Sequence, residues 1–401
     1  MIKLFKSGKI QNLAEKYMAT PLYLALVGFA MILIGNPYNV TMIMSMGTAI
    51  IFGSVCLGVV LKFLSKNKEL DDWWLLGLLI YSAIFSMVIT SSFDKSHFVT
   101  CAMFLEIPFF LYFIDKRERK ALLDFLFFVF SFLAVYFLIL SVSPVAFIVR
   151  NIWGESVKES LTLGFSNPNQ TGMHLMTTLF VLVYGGKYYK NVYLKIALWG
   201  LALFTLYLCF LTRSRTIIVL VAIFIAYSVL HAKIPIKGWM TITSFIVPIL
   251  FVLFLKEGQF IYEKIKFLGD SFENGRLAIY DRVFYELDFM KYCFGDVSRF
   301  NFQNLHNAFL TVFANLGLLG TGIYIPYMIG KLISSSNNLS DKKKRIPYFG
   351  ILLIFFHACT ESAFFSGGSV YAVSVVVLFL LCNSDTSGEG TLYENPTRKL
   401  F

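Results

Sequence analysis

Charge is scarce in this sequence. Asp, Glu, Lys and Arg make up 15% of the 401 residues, against about 25% in an ordinary soluble domain. A water-facing globule of this size cannot hide the remaining apolar side chains, so a soluble enzyme and a disordered chain are both excluded. Cysteine is sparse as well. Cys56, Cys101, Cys209, Cys359 and Cys382 fall in apolar stretches and only Cys293 lies in a polar loop. No paired spacing points to a disulfide framework or a zinc site. There is no outer-face Asp-x-Asp, no cluster of His and Cys ligands and no glycine-rich phosphate loop. These absences argue against a divalent-metal mechanism and a cytosolic nucleotide site, and no cofactor is expected.

What is present is long apolar sequence: 57% hydrophobic residues, 43 of them Phe. The runs are unbroken and do not alternate every second residue, so they read as helices and not as barrel strands. A span needs roughly 17–25 apolar residues. The qualifying or nearly qualifying stretches are 20–36, 41–61, 73–90, 98–114, 121–142, 171–186, 194–211, 216–232, 238–255, 307–330, 347–364 and 369–382. The fold class is therefore an all-α polytopic membrane protein of about twelve spans, or eleven if the short last stretch is discounted. It divides into an N-terminal segment 1–19, spans one to nine over 20–255, a long loop 256–306, spans ten to twelve over 307–383, and a tail 384–401.

The formal net charge is +11. In a soluble chain this would point to nucleic acid. Here it is better read as topology, because Lys and Arg accumulate in cytoplasmic loops. With both termini inside, 23 of the 35 basic residues fall on the cytoplasmic side and five in the short outer loops. The other seven lie in the long outer loop, which is largely exempt from the rule. Residues 1–19 carry no cleavable signal, so the first span is expected to be a retained anchor.

The two faces also differ in kind. Inside there are 19 Lys and 4 Arg; outside there are 6 of each. The outer arginines are Arg150, Arg213, Arg215, Arg276, Arg282 and Arg299. Arg presents a planar fork of donors that grips phosphate or carboxylate in two places. An Arg-rich outer face suits a protein that holds an anionic group there. The competing reading is pairing with outer-loop acids such as Asp281 or Glu273. Arg213 and Arg215 occupy a very short turn, Leu211-Thr212-Arg213-Ser214-Arg215-Thr216, where they can meet a lipid head group or simply snorkel from a helix end.

Within the long loop, 275–287 reads as an amphipathic helix with Leu277, Tyr280, Phe284 and Leu287 at helical spacing. It can lie in the interface with its arginines beside lipid phosphates, or pack on the bundle. His306-Asn307 closes this loop where the next span begins. A neutral imidazole there can accept a proton, or make only a structural hydrogen bond. Glu106 lies mid-span and is expensive to bury; it can serve function or bond backbone freed by Pro108. His357 and Glu361, one turn apart, are expected to pair with each other.

Three segments together resemble the O-antigen polymerase and O-antigen ligase superfamily of bacterial membrane glycosyltransferases. They are Gly164-Phe165-Ser166-Asn167-Pro168-Asn169-Gln170, then Thr212-Arg213-Ser214-Arg215-Thr216, then His306-Asn307-Ala308-Phe309-Leu310 with Asn315-Leu316-Gly317-Leu318-Leu319-Gly320. The order matches, the long loop after the ninth span matches, and the resemblance covers roughly 160–325. It implies a GT-C-like helical fold and an undecaprenyl-pyrophosphate-linked glycan as substrate. It implies that Arg215 and Arg276 bind the pyrophosphate, with Arg213 and Arg282 as further candidates, and that His306 acts at the acceptor hydroxyl. Asn167, Asn169, Asn307 and Tyr280 become candidates for contact with glycan or acceptor. Tyr280 stands where ligases often carry Trp, and Asn315 where many members carry Glu; the Gly-Phe-x-x-Pro-Asn segment is more typical of polymerases. The implied location is the bacterial inner membrane with the site outside. The implied partners are the lipid-linked glycan, membrane lipid, a chain-length regulator and a flippase, with no nucleic acid. Transfer to a lipid or protein acceptor is the alternative, and a lipid-linked sugar transporter the rival from another class.

Overall fold

The computed structural model describes residues 8–65, 73–91, 94–114, 120–152, 156–165, 167–230, 276–300, 305–359, 361 and 369–383. The expected span 238–255, most of the first half of the long loop, and the tail 384–401 lie outside the described residues. The chain runs α1 (Gly8–Tyr17), α2 (Thr20–Gly35), α3 (Thr41–Leu64), α4 (Trp73–Ile89), α5 (Lys95–Phe113) and α6 (Lys120–Leu140). Next comes a hairpin of β1 (Phe147–Ile152) and β2 (Ser156–Leu161), then α7 (Pro168–Tyr188), α8 (Val192–Leu211) and α9 (Arg215–Leu230). After the undescribed segment follow α10 (Arg276–Glu286), α11 (Phe289–Phe294), α12 (Val297–Phe300), α13 (Ala308–Ser336), α14 (Arg345–Ala358) and α15 (Ser369–Asn383).

Among the described residues, six helices are long and apolar enough to cross a membrane: Ile10–Tyr38, Thr41–Leu64, Lys95–Phe113, Lys120–Leu140, Val192–Leu211 and Ala308–Ser336. Four more apolar helices are shorter, among them Arg345–Ala358 and Ser369–Asn383. Burial explains how short helices persist here. From Ser369 to Cys382 every residue of α15 is buried, and α7 is buried over nearly its whole length. These two form the centre. The outer helices turn large apolar side chains outward instead, such as Phe128, Ile139 and Leu203, the pattern of a surface that meets lipid and not water. The antiparallel hairpin, in which Phe147 faces Leu161, has no counterpart in the hydropathy reading. Its strands are too short and polar to register in a search for spans.

Several polar groups inside the bundle find partners on neighbouring helices. Glu106, 2% exposed, accepts a hydrogen bond from the Ser369 hydroxyl at 2.6 Å. That contact ties α5 to α15; a bond to backbone freed by Pro108 was one of the two roles the sequence allowed. The Pro108 carbonyl accepts from the Tyr327 hydroxyl at 3.2 Å. His174 stacks on Tyr371 with ring centroids 4.7 Å apart, and its Nδ1 lies 3.2 Å from the Ser374 hydroxyl.

Helix α13 is broken at Gly317, where φ is 65° and ψ −170°. A break inside an apolar bundle strands carbonyls that water would otherwise satisfy. Three neighbours take them: the Asp296 N–H reaches the Ala314 carbonyl at 2.8 Å, the Ser86 hydroxyl that of Asn315 at 2.7 Å, and the Ser82 hydroxyl that of Leu316 at 3.2 Å. Gly295, at φ 86°, seats against the same break. A Cβ on Gly317 would collide with the Cys293 carbonyl, and one on Gly295 with that of Asn315. Only glycine tolerates both the positive φ and the close approach. Gly317→Ala is therefore expected to destabilise by about 1–3 kcal/mol, read as a lower unfolding midpoint of the detergent-purified protein.

Candidate active site

Four helix ends meet at one buried carboxylate. Asn167 is the N-cap of α7, its side-chain oxygen accepting from the Asn169 N–H at 3.0 Å. Pro168, with no N–H to satisfy, fills the first helical position. Ser214 precedes α9, and its hydroxyl accepts from the Ile217 N–H at 3.3 Å. Asn307 caps α13, accepting from the Leu310 N–H at 3.0 Å. Glu361 follows α14, its N–H bonded to the His357 carbonyl at 3.0 Å.

The side chains then join in series. The Ser214 hydroxyl donates to the Asn169 side-chain oxygen, and the Asn169 amide donates to Glu361 Oε1. The Asn167 amide donates to Glu361 Oε2 at 3.4 Å. His306 Nδ1 lies 3.7 Å from Glu361 Oε1, within ion-pair reach but longer than a hydrogen bond. Glu361 is 1% exposed. Burying such a charge costs several kcal/mol unless donors surround it. The Asn167 and Asn169 amides and the neighbouring His306 and His357 rings supply the compensation.

The expected pairing of Glu361 with His357 holds as a charge interaction, but the sequence reading left Glu361 outside the site. Its further partners come from segments some 190 residues upstream and some 55 residues upstream, too far apart in the chain for spacing to reveal. The legible signal was a carboxylate in an apolar run, which is a functional candidate by default. Ser214 carries no separate signal in the sequence, because a serine between two arginines reads as part of a basic turn.

Arg213 and Arg215 flank Ser214 and both are exposed. Arg213 has φ 50° and His306 also has φ 50°, a left-handed conformation that few non-glycine residues adopt. Such strain clusters at functional sites. Arg215 forms no ion pair among the described residues. The Tyr280 hydroxyl, a candidate for sugar contact, donates to the His306 carbonyl at 3.3 Å and so latches α10 onto the histidine.

Arg276 opens α10, and only its backbone is described. The helix packs on the bundle through Ile279, Val283 and Leu287, against Phe300, Leu305, Phe313 and Ala314. The expected stripe holds in part: Leu287 is buried, but Phe284 is half exposed and lies tilted against Phe313, with ring centroids 5.7 Å apart. Arg282 and Arg299 both bind Glu286, each at 2.8 Å. The acid that pairs with outer-loop arginines is thus Glu286. The Arg282 hydrogen bond, followed by the charges of Arg282 and Arg299, holds the Glu286 carboxyl below the ordinary carboxylate range. Burial pushes Asp296 up, but the Ser298 hydroxyl, the Lys291 ammonium 2.9 Å away and the Arg299 N–H more than offset it, leaving that carboxyl also lowered. Among the described residues no group of three His, Cys, Asp or Glu stands close enough to hold a metal ion.

No protein-family model matches this sequence, and no curated protein matches it.

Proposed function

We propose that this protein is a glycosyltransferase of the bacterial inner membrane. It moves a growing glycan from undecaprenyl pyrophosphate to a sugar hydroxyl of another lipid-linked repeat unit, on the outer face, as a polysaccharide polymerase. The observation that carries the reading is the meeting of the Arg213–Arg215 turn, three helix N-termini and His306 at one end of the helices. Helix N-termini and guanidinium groups bind anions. A histidine beside them supplies the acid–base group.

The chemistry needs little else from the chain. A glycan on pyrophosphate already carries its leaving group. Fixed guanidinium groups neutralise the charge that develops as the bond to phosphate breaks, and fixed donors need no reorganisation at that moment. Arg215 and Arg276 take this role, with Arg213 beside them; Arg282 is already engaged by Glu286. His306 takes the acceptor's proton. Asn307 and Tyr280 set its position, and Asn167 and Asn169 are committed to Glu361. Twelve spans, a GT-C-like arrangement and cytoplasmic termini belong to the same proposal.

The break in α13 favours the rival reading, since transporters place substrate at discontinuous helices. Here, though, the carbonyls freed at Gly317 are already taken by Asp296, Ser86 and Ser82. That leaves transfer chemistry as the better account.

The cell-surface glycan of a deletion strain tests the proposal. Single repeat units are expected. Polymer stranded on its carrier lipid would indicate a ligase, and an unchanged glycan would contradict both. Orientation has its own test. In a cysteine-free background on intact spheroplasts, Tyr285→Cys, at 92% exposure, should react with an impermeant thiol reagent and Ser340→Cys should not. The opposite labelling would invert the topology.

A further inference from the structure

We infer that Glu361 is a positioning residue: its carboxylate aims the His306 ring and stabilises the imidazolium formed there, while Asn169 ties the same carboxylate to the Ser214 turn between the two arginines. This rests on the glycan-transfer reading.

The geometry assigns the role. Amide donors from Asn167 and Asn169 meet both oxygens of Glu361. They fix the plane of the carboxylate without cancelling its charge. Its third neighbour is the His306 ring, which retains 29% side-chain exposure against 1% for Glu361. The acid is therefore at the back of the site and the imidazole at its mouth. Three titratable groups face Glu361: His306 from the segment ahead of α13, His357 from the turn before it, and Tyr371 from α15. Arg213 and Arg215 stand beyond Ser214, one hydrogen-bonded step past Asn169.

Because Nδ1 is turned to Glu361, Nε2 takes the proton. In the transfer step the acceptor O–H bond breaks and its proton goes to Nε2. The acceptor oxygen bonds to the anomeric carbon. The bond from that carbon to the pyrophosphate oxygen breaks, and its electron pair leaves with the pyrophosphate. His306 becomes a cation as this happens. The 3.7 Å separation from Glu361 is loose at rest and shortens as positive charge develops. An interaction that strengthens on the way to the transition state lowers the barrier and does not merely bind substrate.

Purified full-length protein, a synthetic undecaprenyl-pyrophosphate oligosaccharide and single-turnover kinetics provide the test. Glu361→Gln keeps the shape and removes the charge. It should lower kcat about 10²-fold with KM for the donor unchanged, and Glu361→Asp should recover at least a tenth of the wild-type rate. Wild-type kcat in Glu361→Gln, or a rise in KM alone, overturns the positioning role and leaves the transfer reading standing. A wild-type protein that forms no glycosidic bond overturns the transfer reading itself. Should Glu361→Gln fail to fold, Glu361→Asp carries the test in two backgrounds. A residue that acts through His306 should slow the wild type and add nothing to His306→Gln. Equal losses in both backgrounds would show a structural role only.

Discussion

His306→Ala is expected to lower the turnover of lipid-linked donor by about 10²–10⁴-fold, the usual contribution of a positioned acid–base group. Donor binding should survive, because the arginines, the Asn307 cap and the three helix N-termini remain in place. Binding of the lipid-linked donor and its turnover are therefore to be measured separately on the same preparation. His306→Gln distinguishes two roles for the ring. Glutamine keeps a donor and an acceptor but has no useful basicity. A glutamine variant with near-wild-type kcat would remove the general base and leave a hydrogen-bonding role.

The second large effect concerns the arginines. If Arg215 and Arg276 grip pyrophosphate through paired donors, lysine is a poor substitute, offering a point charge where a planar fork is needed. Losing one charge-assisted hydrogen bond, about 1.5–3 kcal/mol, corresponds to roughly 10–100-fold in kcat/KM. Arg215→Lys and Arg276→Lys should each show that loss while accumulating normally in the membrane. Arg299→Lys is the matched control. Arg299, with its side chain 44% exposed, lies on Glu286 at 2.8 Å, a carboxylate that Arg282 also holds, so lysine should be tolerated. Wild-type kinetics for the first two variants would refute bidentate binding.

Hydropathy made most of the helices legible. Eleven of the twelve expected stretches contain helix in the described residues, with α15 short but central. The segments around Asn167, Arg213–Arg215 and His306 could be picked out because each combines polar residues with the edge of an apolar run. Their mutual contacts could not. Glu361 reaches Asn167 and Asn169 across more than 190 residues, and only packing brings those helix ends together. The face of α10 was legible only in part, for a related reason. Periodicity gives a stripe that holds at Leu287, but Val283 is buried and Ile279 partly buried because α13 offers Phe313 and Ala314 there, which the local pattern does not contain. The hairpin 147–161 escaped because its alternation is weak and its composition polar.

The most direct measurement is glycan extension by the purified protein in detergent, in EDTA, with no membrane gradient and with only the lipid-linked repeat unit supplied. The account predicts a ladder of longer lipid-linked glycans with release of free undecaprenyl pyrophosphate, lost in His306→Ala. No extension in detergent, together with passage of the lipid-linked sugar across sealed proteoliposomes, would contradict it. Extension that stops in EDTA and returns with magnesium or manganese would contradict its metal-free chemistry.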